Sequence, residues 1–121
     1  MITLSKIRDI AMRLPEVEEG PPVPAARRIL AFKVAGKSFL GVEKGGLTMT
    51  LSLAEDDARS IAAAHPNACQ EIWRNDKFMG LRLDLSKISF HELRKMIELS
   101  WLHSAPKRVA DQYGRGRRIA G

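Results

Sequence analysis

Three histidines, one cysteine and two clusters of carboxylates are the side chains of this 121-residue chain best suited to catalysis or metal binding, and their spacing supports neither. His65, His91 and His103 lie far apart, and none stands at a zinc-ligand spacing from Cys69. Cys69 is alone, which excludes an internal disulfide and suits a small buried apolar residue in a reducing compartment. Glu16, Glu18 and Glu19 flank a proline-rich stretch, where they read as a solvated charged loop or as a cation-binding one. Glu55, Asp56 and Asp57 fall in the first turn of an expected helix, where carboxylates favour the helix dipole. The chain contains no Walker loop, no G-x-G-x-x-G and no G-x-S-x-G elbow. We therefore expect a protein that is not an enzyme and that uses no cofactor or metal.

The cations are more informative. The net charge is +6, and Lys107, Arg108, Arg115, Arg117 and Arg118 gather near the C-terminus with Asp111 as their only acidic neighbour there. Lys33 and Arg82 alternate with apolar residues and are expected on the outward face of a sheet beside Thr48 and Thr50, while Lys37 and Lys44 fall at expected hairpin turns. Such hairpins could straddle phosphates while the sheet face meets a groove of nucleic acid. On this reading Lys33, Lys37, Lys44, Arg82, Lys107 and Arg108 are the phosphate contacts, with Arg115, Arg117 and Arg118 auxiliary. The same residues also fit an ordinary solvated surface.

These side chains need elements to position them. Thr3 or Ser5 can cap a helix in which Leu4, Ile7, Ala11 and Leu14 recur on one face, and Pro15 ends it. Residues Glu16 to Ala26, with Pro21, Pro22 and Pro24, read as a connecting loop. Period-two alternation from Ile29 to Val34 predicts a strand, followed across Ala35-Gly36 by a second from Ser38 to Glu43 and across Gly45-Gly46 by a third around Met49. Ser52 with Glu55 makes a capping-box pattern before an alanine-rich helix that runs to Ala64 and is closed by Pro66. The stretch from Asn67 to Lys77 is ambiguous, with Ile72 and Trp73 hinting at a short strand before a turn at Asn75-Asp76. Met79, Leu81 and Leu83 alternate as a further strand. Ser89 with Glu92 is a second capping box, opening a helix whose stripe is Phe90, Leu93, Ile97 and Trp101. Pro106 suits the first turn of a short last helix.

The predicted fold is α+β: an antiparallel sheet of four to five strands with helices packed on one face, in the order helix, three-strand meander, helix, one or two strands, helix. Residues 1–113 form one domain and 114–121, with Gly114 and Gly116, a flexible basic tail. Apolar residues make up 45% and charged residues 28% of the chain, the balance of a folded globular domain. No stretch approaches the roughly 20 apolar residues needed to span a bilayer, nor does the N-terminus carry a secretory apolar run, so a cytoplasmic protein is expected.

Leu14-Pro15-Glu16, the block from Phe32 through Phe39, Ser100-Trp101 and the closing run from Ala105 to Val109 together resemble the MmcQ/YjbR family. The likeness runs from about Leu4 to Ala110. It implies a CyaY-like layout, similar to the frataxin group, and DNA binding through a paired-wing arrangement. The chain departs from many members in the loop before the first strand, at Val23 to Arg28, and at Phe78-Met79-Gly80, where a Gly-Trp is common. Two functions are thus expected as alternatives: contact with double-stranded DNA through phosphates, largely without sequence readout, or docking of a protein partner on the exposed sheet face.

Overall fold

The computed structural model describes residues 2–21 and 28–120. Among these residues four α-helices and six strands form one α+β domain, with the sheet antiparallel throughout in the order β1-β2-β3-β4-β6-β5. The elements are α1 (Leu4–Met12), β1 (Val17–Gly20), β2 (Arg28–Val34), β3 (Lys37–Glu43), β4 (Thr48–Leu51), α2 (Glu55–Ala64), β5 (Cys69–Arg74), β6 (Lys77–Asp84), α3 (Phe90–Ser104) and α4 (Lys107–Ala120).

Period-two burial builds the sheet. Phe32, Leu40, Leu51 and Leu81 stand opposite one another across four strands, as do Leu30, Val42, Met49 and Leu83 in the next buried row. Both rows are buried and join Ile7, Ala58, Leu93, Ile97, Trp101 and Val109 of the helices in one core. Each such side chain contributes roughly 1.5–3 kcal/mol when fully buried. Between the two rows, Ala31, Gly41, Thr50, Arg82 and Gln70 line up on the opposite face.

The six strands exceed the four to five expected. The added one is β1, in a segment read as connecting loop; Val17 and Glu19 stand opposite Val34 and Phe32. A short edge strand with two glutamates has no apolar alternation to betray it, because one of its sides needs no partner. The ambiguous stretch after Asn67 is β5, at the other edge.

Four local expectations are corrected. Ser52 does not cap α2: Ala54 occupies the N-cap without a side-chain bond, and Ser52 stays extended with its N–H donating to the Phe39 carbonyl (3.0 Å). Leu4 and Phe90 are exposed, because each is the first residue of its helix, where the stripe runs past the core. Met79 also points out, since it is left unpaired between Ile72 opposite Gly80 and Trp73 opposite Phe78, a bulge that breaks the alternation. The last helix is not short: α4 runs through Gly114 and Gly116 to Ala120. The side chains of Arg115, Arg117 and Arg118 lie outside the described residues, as do residues Pro22 to Arg27. Other expectations hold, including the Thr3 cap (Lys6 N–H to Oγ1, 3.2 Å) and the Ser89 cap (Glu92 N–H to Oγ, 3.1 Å).

The two hairpins β2–β3 and β5–β6 turn through Ala35-Gly36 and Asn75-Asp76, all four residues at positive φ, as a two-residue I′ turn requires. A further strained position follows in β6. Gly80 has φ +146°, and a Cβ there would sit 2.5 Å from the backbone oxygen of Leu51. Neither the backbone angle nor the neighbouring carbonyl can yield without moving β4 from β6. Gly80→Ala is expected to destabilise the protein by at least about 2 kcal/mol, read as a lower urea midpoint; a change within about 0.5 kcal/mol, the size of an ordinary surface substitution, would show that this contact is loose.

Candidate nucleic-acid interface

Strand β4 ends at Leu51, while its neighbours β3 and β6 extend beyond it at their first residues, Lys37–Ser38 and Lys77–Met79. These two strands are next-but-one neighbours in the sheet, so they stand roughly 9.5 Å apart at twice the usual interstrand spacing. The Ala35-Gly36 and Asn75-Asp76 hairpins therefore project from the same end of the sheet with a gap between them. The gap opens into a groove of about 580 Å³ lined by Arg28, Ser38, Thr50, Trp73, Arg74, Met79 and Arg82, among others. That volume is in the usual range for a ligand site.

The electrostatics of the groove are set by three arginines and Glu43. Arg82 is bound to Glu43 (Nη2 to Oε1, 2.6 Å). Arg28, opposite Glu43 in the register, lies flat over Gly41: its Nε and Cδ are 2.8 and 2.9 Å from where a Cβ would stand, so a larger residue there would displace the flexible Arg28 side chain. Among the described residues neither Arg28 nor Arg74 makes an ion pair. Trp73 and Met79 are 48% and 49% exposed, and Trp73 meets Phe78 edge-to-face at 5.6 Å, bracing the second hairpin.

The expected phosphate contacts divide between two ends of the molecule. Lys37 lies exposed beside the first hairpin turn, whereas Lys44, at the far end of β3, is about seven residues and so roughly 23 Å away. Lys33 and Arg82 are on the outward face as expected, but Lys33 stands opposite Glu18 and Arg82 is held by Glu43. Lys107 is exposed at the start of α4. Arg108 is engaged: it donates to both oxygens of Glu16 at 2.8 and 3.2 Å. Sequence reasoning missed Arg28, Arg74, Lys77 and Trp73. The signal for two of them was available, because Arg74 and Lys77 flank Asn75-Asp76 as Lys37 flanks Ala35-Gly36.

The Arg108–Glu16 pair ties α4 to the turn of the first hairpin. The Glu16 carbonyl accepts from the Ala35 N–H (3.4 Å), and Glu16 itself has φ +55°. Nearby, Trp101 donates its indole N–H to the Pro15 carbonyl (3.0 Å) and meets Tyr113 edge-to-face. Burial pushes the Cys69 thiol up, away from nucleophilic character. Among the described residues no group of three His, Cys, Asp or Glu side chains could hold a metal ion, and no helix is long and apolar enough to cross a membrane.

A solved structure shares this fold. The crystal structure of Deinococcus radiodurans protein DR2400, a DUF419 domain, superposes with a TM-score of 0.70 at 21% identity, covering 94% of this chain and 89% of that one. DUF419 is the MmcQ/YjbR family, so the neighbour comes from the family that the sequence resembles. At that identity the likeness is one of fold. No family model matches the chain, and no curated protein does either.

The bond from Arg108 holds the Glu16 carboxyl below the ordinary glutamate range. A folded-state pKa below the unfolded one adds stability at pH above the unfolded value, and that stability is lost as pH falls through the folded one. Glu16→Gln is therefore expected to lower Tm at pH 7, with the gap to the wild type closing as pH drops below about 4. A gap that persists at low pH would contradict the pairing.

Proposed function

We propose that the chain is a member of the MmcQ/YjbR family and a non-enzymatic nucleic-acid-binding protein that grips phosphates with its two hairpins. The observation that carries this reading is the projection of both hairpins from one end of the sheet, with Lys37 on one and Arg74 and Lys77 on the other, and with Arg28, which makes no ion pair among the described residues, on the sheet face that the groove runs onto. Cations on paired projections can follow a phosphate backbone without reading bases, and the freedom of these side chains matters because a cation already engaged by a carboxylate gains less from a phosphate. Arg82 and Arg108 are accordingly structural residues in this proposal, and Lys44 is outside the contact surface. Lys33 and Lys107 lie beside it, and Arg115, Arg117 and Arg118 add nonspecific attraction. The paired-wing description of the family fits the same two hairpins.

Docking of a protein partner on the sheet face draws on the exposed Trp73 and Met79. Those two side chains line the same groove as three arginines, a setting that suits an anionic ligand better than an apolar one.

Fluorescence anisotropy with a short labelled duplex at two salt concentrations tests the proposal. If about four cations meet phosphates, log K falls with log[salt] at a slope of roughly −3.6. Lys37→Glu combined with Lys77→Glu is expected to weaken binding at least about tenfold, and Lys44→Glu by less than about twofold, as the phosphate term dominates affinity. Salt-insensitive binding, or equal loss from Lys44→Glu, would refute it.

A further inference from the structure

We infer that the groove between the hairpins receives an unpaired nucleotide, its base stacked on Trp73 and its phosphate held by the adjacent Arg74, so that the protein favours single strands over duplex. This rests on the reading of the two-hairpin end as a nucleic-acid surface and adds a site that phosphate contact alone does not require.

Trp73 is the central observation. The chain has two tryptophans; Trp101 is fully buried, whereas Trp73 is half-exposed on the groove wall. A tryptophan left half-exposed forgoes much of its apolar burial, and here it stands next to Arg74 with exposed Met79 on the same wall. An aromatic face joined to cations is the combination that binds single-stranded nucleic acid, because every base offers a π-face and every nucleotide a charge. The hydroxyls of Ser38 and Thr50 also line the groove and can bond base edges or sugar.

Charge and shape select the occupant. Three arginines against one glutamate, two of the arginines without an ion pair among the described residues, favour an anion. Where β4 has ended, the gap between β3 and β6 is roughly 9.5 Å, too narrow for a duplex to enter. In a duplex the bases are paired inside and only the sugar-phosphate edge is available, while an unpaired strand can turn a base inward. The bulge that leaves Met79 unpaired opens this wall, in keeping with the placing of bulges where a side chain is re-aimed at a ligand.

The test compares three ligands of equal length, namely an oligothymidylate, an abasic strand and a duplex, by anisotropy of the labelled ligand and by intrinsic tryptophan emission. The oligothymidylate is expected to bind at least about tenfold more tightly than the abasic strand, as stacking of one base provides, and to quench the emission of Trp73. Trp73→Leu should abolish that preference and leave duplex binding unchanged, while Trp73→Phe, which keeps a ring, should retain most of it. The emission of buried Trp101 reports whether each variant is folded. Equal binding of thymidylate and abasic strands by the wild type, or a preference that survives Trp73→Leu, would overturn the base site and leave phosphate gripping intact. Failure of all three ligands to bind would overturn the nucleic-acid reading itself.

Discussion

The hydroxyl of Ser100, fully buried in α3, reaches the carbonyl oxygens of both Phe39 (2.9 Å) and Ser52 (2.6 Å). The same Phe39 carbonyl accepts the Ser52 N–H, so three groups meet where β4 leaves the sheet. Losing the hydroxyl would leave the Phe39 carbonyl its bond from the Ser52 N–H but take from the Ser52 carbonyl its partner, at about 1–3 kcal/mol if it stays unsatisfied. From the other side, Gly80 lets the Leu51 carbonyl approach more closely than any side chain would permit. Between them these contacts stop β4 at Leu51 and turn the next residues toward the helices, where Leu53 is buried. Had β4 continued, it would have filled the space between the hairpins, and there would be no groove.

Bulges then shape the two walls. On the first hairpin the extra residue is Phe39, which is driven into the core and anchors that wall from beneath; on the second it is Met79, which is left facing solvent. Ion pairs separate the cations into two populations. Arg82 and Arg108 are held by Glu43 and Glu16, where they brace the sheet face and the turn of the first hairpin. Arg28, Lys37, Arg74 and Lys77 are the cations of the groove and hairpin tips that no described carboxylate engages. Net charge alone does not distinguish these sets, and the geometry of a few glutamates does.

Most of the fold was legible because it is written in periodicity. The buried rows of β2, β3 and β4 follow from alternation, the α1 and α3 faces from three-and-four spacing, and the hairpin turns from Ala35-Gly36 and Asn75-Asp76. What was missed lacks a local signal. Strand β1 is recognisable only through its pairing with β2, and the exposure of Met79 only through a bulge defined by β5. Ser52 resembles a cap in sequence, yet its N–H and carbonyl are already taken by Phe39 and Ser100. The candidate site was half legible: the expectation of basic hairpins holds for Lys37, but which hairpins share an end depends on strand order. That order carries Lys44 away and brings Arg74 and Lys77 in.

On the proposed reading, ligand binding is confined to the end of the sheet left open by β4. A titration of the nitrogen-15-labelled protein with a short oligonucleotide, followed by amide chemical shifts, tests it most directly. The largest shifts should fall on residues 37–39 and 72–79, while the amides of Lys44 to Leu47 and Leu85 to Lys87 at the opposite end stay still. Shifts concentrated at that opposite end, or spread evenly over the whole surface, would contradict it.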